Sequence, residues 1–154
     1  MNAGDGFFVD SNLLLYYVDS VEGAKRARAN EWLEALWLAG TGRLSWQVLH
    51  EFYWNAVRKM RLAPVRAREI VTDLNHWRPV DTSLGLAQRA WEWMDGAQLS
   101  YWDALILAAA ERSGSRYLLS EDFQDEREYA GVKVLNPFTH SPAQFAVAGS
   151  PEET

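Results

Sequence analysis

A predicted helix with a wholly apolar run, followed directly by a short apolar strand, restricts the possible folds of this chain more than any other stretch. Every residue from Ala104 to Ala110 is apolar, which is typical of a helix covered on several faces. Gly114 then offers a C-terminal stop, and the residues from Tyr117 to Leu119 are too few for another helix but apolar enough for a core strand. A helix that leads into a parallel strand runs antiparallel to it, so the helix begins at the edge of the sheet where the strand ends.

Aspartates stand at both ends of this helix–strand unit, and a third stands at an equivalent place near the start of the chain. Asp103 lies at the beginning of the helix, and Asp122 follows the strand. Residues 7–9 form a predicted first strand that ends at Asp10, where another helix follows. In parallel sheets covered by helices, ligands bind outside the carboxyl ends of the strands. We therefore expect these three aspartates to line one crevice.

The rest of the chain alternates helical and strand patterns. Strands separated by helices predict an α/β fold, with a parallel sheet covered by helices on both faces. The further helices are predicted over residues 22–39, 45–60, 65–75 and 83–94, and the further strands over 78–81 and, as an edge or terminal strand, 132–135.

Length and composition favour a single domain with a sizeable core, since 48% of the 154 residues are hydrophobic. We place the domain over residues 1–138. Residues 139–154 contain proline, serine, glycine and acidic residues without periodicity, so we predict a flexible C-terminal tail there. The absence of cysteine excludes disulfides and thiolate metal sites. The start of the chain lacks a basic leader, and no apolar run reaches the length of a membrane span, so we expect a cytoplasmic protein.

The charge distribution leaves room for a nucleic-acid substrate. The formal net charge of −6 argues against nucleic-acid binding, because phosphates are contacted mostly by lysine and arginine. The residues from Arg58 to Arg68, however, include five basic side chains and no acidic one. This run is either a solvated corner between helices or a track for phosphates.

The three aspartates, together with Glu51 on the third predicted helix, have the chemistry of a divalent metal site. Carboxylate oxygens are hard ligands suited to Mg²⁺ or Mn²⁺, and like charges packed together are costly unless a cation neutralises them. Each acid also has an ordinary structural explanation; Asp103, for example, stands three residues after Ser100 and favours a helix N-terminus in any case. The shared edge of the predicted sheet is what favours the metal site.

The sequence motifs around these acids resemble those of the PIN domain, in the form found in VapC toxins of bacterial toxin–antitoxin pairs. The similarity runs from residue 7 to residue 138, and the motifs occur in the order of the family. One departure is Glu126, where members of the group often have glycine. The motifs are VDSN at 9–12, a glutamate about forty residues later, YWDALI at 101–106, LLSEDFQD at 118–125 and VLNPF at 134–138.

The resemblance implies a three-layer α/β/α fold with a small parallel sheet. It implies an endoribonuclease that depends on Mg²⁺, with Mn²⁺ able to substitute, and that uses a metal-activated water. It also implies inhibition by a partner antitoxin, and a homodimer. By position, the catalytic acids are Asp10, Glu51, Asp103 and Asp122, and Asn12 and Ser120 are supporting residues. We expect Asp10, Asp103 and Asp122 to be the metal ligands. From the basic run and the tryptophan beside Asp103, independently of the resemblance, the expected RNA contacts are Arg58, Lys59, Arg61 and Trp102.

Other classes of protein remain as alternatives from the residues alone. A non-catalytic α/β module that dimerises or binds a partner through its aromatic surface is the main one, since the chain has eight tryptophans. A signalling receiver domain normally has paired acids after the first strand, and Asp10 has no acidic neighbour. A phosphatase with an aspartate nucleophile would have a second aspartate where Asn12 stands. Specific residues thus disfavour the last two classes.

Overall fold

The centre of the computed structural model, which describes residues 5–21 and 23–145, is a five-stranded sheet with the order β2-β1-β3-β5-β4. Neighbouring strands run parallel, except that β4 is antiparallel to β5. The strands are β1 Gly6–Val9, β2 Gly42–Arg43, β3 Ser115–Leu119, β4 Glu128–Tyr129 and β5 Val132–Leu135.

Six α-helices flank this sheet within the described residues, which gives the predicted three-layer α/β/α arrangement. Their starting residues follow the sequence closely, because the side chains of Ser45, Ser83 and Ser100 cap the third, fifth and sixth helices. The helices are α1 Ser11–Tyr17, α2 Ala24–Ala39, α3 Trp46–Arg58, α4 Pro64–Leu74, α5 Leu84–Ala97 and α6 Tyr101–Arg112.

The core lies where α6 packs on the two central strands. All seven residues of the apolar run in α6, from Ala104 to Ala110, are buried, as the sequence predicts for a helix covered on several faces. Phe8 of β1 and Leu118 of β3 are fully buried beside it. This packing fixes the start of α6 next to the carboxyl ends of β1 and β3.

The sheet differs from the prediction at its edges. Residues 78–81 do not form a strand; Val80 makes a single parallel bridge to Ser45. The two-residue strands β2 and β4 were not predicted, and β4 covers β5 on the outer side. No helix in the described part of the chain is both long and apolar enough to span a bilayer.

The segment after residue 138 folds back onto the domain over the part that the structure describes. The indole N–H of Trp32 donates hydrogen bonds to the carbonyl oxygens of Pro137 and His140, at 2.9 and 3.0 Å. The ring of Phe145 lies 6.2 Å from the ring of Trp32 and 5.3 Å from that of Tyr117. Residues 139–145 thus make contacts with the domain, residues 146–154 lie outside the described residues, and the flexible tail over 139–154 stays a prediction.

Candidate active site

Asp10 is the most enclosed acid of the site. It follows the last residue of β1 and caps α1, and its backbone N–H donates to the carbonyl oxygen of Leu119 at 3.1 Å. One carboxylate oxygen accepts a hydrogen bond from the backbone N–H of Ser11 at 2.7 Å, and the other accepts one from the hydroxyl of Ser120 at 2.8 Å. Only 4% of the residue is exposed. The carboxylate is thus held in a single orientation at the carboxyl ends of β1 and β3.

Burial raises the pKa of Asp10 to about 7. The hydrogen bonds from Ser120 and Ser11 lower this pKa but do not offset the burial, and the negative charges of Asp122 and Glu51 raise it further. At neutral pH the protonated and ionised forms of Asp10 are therefore present in comparable amounts, and positive charge brought to the site would favour the ionised form.

Asp122 is tied to Asp10 through Ser120. The backbone N–H of Asp122 donates to the hydroxyl oxygen of Ser120 at 3.1 Å, and the same hydroxyl donates to Asp10. The side-chain amide of Asn12 donates to a carboxylate oxygen of Asp122 at 3.3 Å. The amide oxygen of Asn12 is buried and has no hydrogen-bond partner within the described residues. A buried oxygen without a donor is costly, so a bound cation or water next to this oxygen would be favourable.

Glu51 reaches the same site from α3. One of its carboxylate oxygens accepts a hydrogen bond from the hydroxyl of Ser11, and the other accepts one from the amide of Gln47, both at 3.0 Å. Gln47 also donates to the carbonyl oxygen of Trp102 at 3.3 Å, which links α3 to the first turn of α6. Neither Ser11 nor Gln47 is among the predicted site residues. Gln47 could have been found from its place one helical turn before Glu51, whereas no local signal connects Ser11 with a residue 40 positions away.

Asp103 completes the group from the first turn of α6. Its backbone N–H donates to the hydroxyl oxygen of Ser100 at 3.2 Å, so the structural role suggested by the sequence is also present. Burial raises the pKa of Asp103, and the charges of Asp122 and Glu51 raise it as well. Asp10 and Asp103 therefore each lie close enough to Asp122 and Glu51 to interact with them electrostatically.

The four acids have only neutral hydrogen-bond donors as partners. Within the described residues, none of them forms an ion pair with a lysine, arginine or histidine side chain. The structure thus gathers negative charge at one edge of the sheet and leaves it uncompensated.

The donor set fits a divalent cation, although its present geometry is not a cage of three carboxylates. No group of three or more histidine, aspartate or glutamate side chains in the described ranges is close enough to hold an ion as it stands. Magnesium, however, keeps several of its waters and is usually bound through one or two carboxylates. The hard oxygens, the raised pKa values and the unpartnered oxygen of Asn12 all favour such an ion.

The domain that carries this site matches a known family. The family model described as the PIN domain matches residues 7–128. The chain belongs to the PIN domain family. This confirms the resemblance found in the sequence motifs. Comparison with curated proteins gives no match.

Solved structures share the fold of this PIN domain at low sequence identity. A toxin–antitoxin complex from Klebsiella pneumoniae is 21% identical, with a TM-score of 0.64 over 86% of this chain and 98% of the other. VapC20 from Mycobacterium tuberculosis, a Sarcin-Ricin loop cleaving toxin, is 20% identical, with a TM-score of 0.56 over 73% of this chain and 87% of the other. VapBC2 from Rickettsia felis, bound to a DNA fragment from its promoter, is 13% identical, with a TM-score of 0.55 over 83% of this chain and 96% of the other.

Two further glutamates lie close in sequence to Asp122 in this PIN domain. Glu121, next to Asp122, forms an ion pair with Lys25 at 2.9 Å and so points to α2. Glu126 occupies the position where glycine is common in the resembling group, and its φ of 65° lies in the left-handed region that favours glycine. Its backbone N–H donates to the carbonyl oxygen of Val134 at 2.8 Å, which anchors the loop beyond Asp122 to β5.

The side chains predicted to contact RNA are all at the surface. Trp102 is 64% exposed beside Asp103. The guanidinium of Arg58 stacks over the ring of Trp54, 4.7 Å from its centre, and Lys59 and Arg61 follow at the exposed end of α3. These positions are accessible to a substrate, and Trp102 is the one that adjoins an acid of the site.

Proposed function

We propose that this PIN domain is a metal-dependent endoribonuclease that hydrolyses RNA phosphodiester bonds. One observation carries the proposal: four acids lie near one another, and their hydrogen-bond donors within the described residues are all neutral. Two of these acids, Asp10 and Asp103, have raised pKa values. The four acids are Asp10, Glu51, Asp103 and Asp122. PIN domains are a family of nucleases, which supports hydrolysis of a phosphodiester as the chemistry.

The proposed cofactor is Mg²⁺, with Mn²⁺ able to substitute. Asp10, Asp103 and Asp122 would hold it, and Glu51 would complete the site directly or through water. When bound, such an ion supplies positive charge that neutralises the carboxylates and a lowered pKa for a coordinated water.

The protein's own contribution is to orient the acids before the substrate arrives. Ser11 and Ser120 fix the two oxygens of Asp10, and Asn12 holds one oxygen of Asp122. Gln47 and the hydroxyl of Ser11 fix Glu51 in the same way. Groups held in place in this manner lose little freedom during the reaction, which is how a preorganised site lowers an activation barrier.

The RNA is proposed to lie over the exposed rim of the site. Trp102 offers a ring on which a base can stack next to Asp103, and Arg58, Lys59 and Arg61 offer charges for the phosphates. These four residues are the proposed substrate contacts.

We further propose that the protein is the toxin of a toxin–antitoxin pair of the VapC type. The shared fold with VapC20, with the Klebsiella pneumoniae complex and with VapBC2 supports this role. The proposal includes a cytoplasmic location, a homodimer and a cognate antitoxin protein that inhibits the nuclease.

The direct test is cleavage of a structured RNA by the purified protein. We expect cleavage with Mg²⁺ or Mn²⁺, none with EDTA, and a loss of about 100-fold or more in Asp103→Asn, because that substitution removes one charge from the site. Asp95→Asn, which changes an exposed aspartate of α5, is the matched control and should cleave normally.

Intact RNA would contradict the proposal. If the folded protein leaves RNA uncleaved both with metal and with EDTA, the nuclease proposal fails. The non-catalytic module that binds a partner through its exposed tryptophans would then be the better description, since Trp54, Trp91 and Trp102 are each at least 49% exposed.

A further inference from the structure

We propose that a pocket at the free edge of the sheet binds one nucleotide of an RNA chain at a distance from the acidic site. We call it the edge pocket; its volume is about 410 Å³, and it is lined by Trp37, Gly40, Arg43, His76, Trp77 and Arg78. The inference rests on the proposed function in taking RNA as the substrate.

The edge pocket carries positive charge that nothing in it balances. One guanidinium nitrogen of Arg43 donates to the carbonyl oxygens of Gly40 and Gly42, at 3.2 and 2.8 Å, which fixes the side chain and leaves its other donors available. The backbone N–H of Arg78 donates to the carbonyl oxygen of Asn75 at 3.1 Å, whereas its guanidinium has no hydrogen bond, ion pair or ring contact within the described ranges. No carboxylate lines the pocket, although acids outnumber bases by 21 to 15 in the chain. Two unbalanced arginines in an acidic protein favour an anionic ligand.

The pocket also presents an aromatic surface suited to a base. The ring of Trp37 is 6.2 Å from that of Trp77, at an interplanar angle of 37°, and Trp37 is 48% exposed. Trp77 is buried, and its ring packs so closely on Gly42 that a Cβ there would come within 2.5 Å of it. A fixed aromatic platform beside two arginines is the combination by which proteins hold single-stranded nucleic acid, with the base stacked and the phosphate paired.

The position of the edge pocket sets it apart from the acidic site. Arg43 belongs to β2, the outer strand of the sheet, and Gly40 precedes that strand. Asp10 and Asp122 follow the carboxyl ends of β1 and β3, which are interior strands of the sheet. A chain that reaches both places can be held at the edge pocket while another of its phosphodiester bonds lies at the acids. This favours a segment of RNA over a free nucleotide as the ligand.

The test measures binding without cleavage. Full-length Asp10→Asn protein in EDTA is titrated into a fluorescently labelled RNA of about six nucleotides, at several salt concentrations, and anisotropy is recorded. Adding Arg78→Gln or Arg43→Gln should weaken binding about fivefold or more and reduce the slope of log K against log[salt] by about 0.7, the value for one phosphate on a single strand. Adding Trp37→Leu should weaken binding and leave this slope unchanged, because it removes stacking and no charge.

A matched control separates the edge pocket from general charge. Arg127→Gln removes an exposed arginine that lies over the ring of Tyr129 at 4.7 Å, beside the opposite edge strand, and binding should stay within about twofold. Arg78→Gln loses no hydrogen bond or ion pair of the side chain within the described residues and keeps the backbone N–H, so we expect it to fold normally.

Two results would overturn the inference. One is that Arg78→Gln and Trp37→Leu, both shown by circular dichroism to be folded, bind the RNA as tightly as the parent protein. The other is that a single nucleoside monophosphate binds as tightly as the RNA, which would make the ligand a free nucleotide. Both results are binding measurements that do not depend on cleavage. A wild-type protein that does not cleave RNA would therefore refute the proposed function, while the RNA-binding titration would still decide whether the edge pocket binds RNA.

Discussion

Asp10 shows at the scale of one residue why a cation would stabilise the ionised form of the site. Its folded-state pKa of about 7 is well above the ordinary value of about 3.9. Between these two values the folded protein holds a proton that the unfolded chain has released, so the free energy of unfolding falls as the pH rises through this window. The loss is complete above the folded-state pKa and amounts to about 4 kcal/mol for a shift of about three units.

Asp10→Asn should therefore stabilise the protein in EDTA, and more strongly at high pH. Asparagine keeps an acceptor for the backbone N–H of Ser11, and its amide N–H can donate to the hydroxyl oxygen of Ser120, but it carries no charge. We expect the gain in the free energy of unfolding, measured with urea, to be larger at pH 8 than at pH 5 by about 2–3 kcal/mol. Asp95→Asn is the control and should show no such dependence on pH. An equal gain at both pH values would mean that Asp10 is not held with a raised pKa.

Ser120 and Thr41 form a natural pair for testing the buried hydrogen bonds. Both side chains are buried, but the hydroxyl of Ser120 bonds to Asp10 and Asp122, whereas that of Thr41 has no partner in the described residues. Ser120→Ala should lower the free energy of unfolding by about 1–3 kcal/mol, and Thr41→Val should be neutral or stabilising. Urea denaturation of both variants at pH 7 measures the difference. Equal losses in the two would argue against a specific role for the Ser120 hydroxyl.

At the scale of secondary structure elements, strong local signals explain what could be predicted. Serines before apolar periodic runs located α3, α5 and α6, and the apolar run of α6 predicted its complete burial. The two-residue strands β2 and β4 are too short to show alternation, so no pattern could indicate them. Their pairing is decided by neighbouring strands instead.

In the site, too, the residues with local sequence signals could be predicted and the long-range contacts could not. Asp10, Asp103 and Asp122 could be placed at one edge because they flank predicted elements. The contact of Ser11 with Glu51 joins residues 40 positions apart, and no local spacing encodes it. The packing of residues 139–145 on α2 was missed for the same reason, since Trp32 meets His140 across 108 positions.

The contact between α2 and the C-terminal segment yields a prediction at this scale. Trp32→Phe removes the donor shared by the carbonyl oxygens of Pro137 and His140 and leaves part of the buried ring volume empty. We expect a loss of about 2 kcal/mol in the free energy of unfolding, together with easier proteolysis of the C-terminal segment. Trp91→Phe, at a site that is 49% exposed, is the control and should change stability by less than about 0.5 kcal/mol. Similar losses in both variants would show that the segment contributes nothing through Trp32.

At the scale of the whole molecule, the fold concentrates charge that the sequence distributes widely. Four acids, placed directly after β1, in α3, in α6 and in the loop after β3, lie near one another at the carboxyl ends of the strands, and the part of the chain that the structure describes provides no cationic side chain for them. Folding therefore works against their mutual repulsion. A ligand that binds only the folded state and neutralises these acids should stabilise the entire domain.

Thermal unfolding with and without Mg²⁺ or Mn²⁺ measures this coupling most directly. An ion present at about 100 times its Kd adds about 2.7 kcal/mol, which corresponds to a rise in Tm of about 5–10 °C for a protein of this size. We expect that rise in the wild-type protein and in Asp95→Asn, and its disappearance in Asp10→Asn. A wild-type Tm that stays the same from EDTA to millimolar metal would contradict a divalent metal site formed by these four acids.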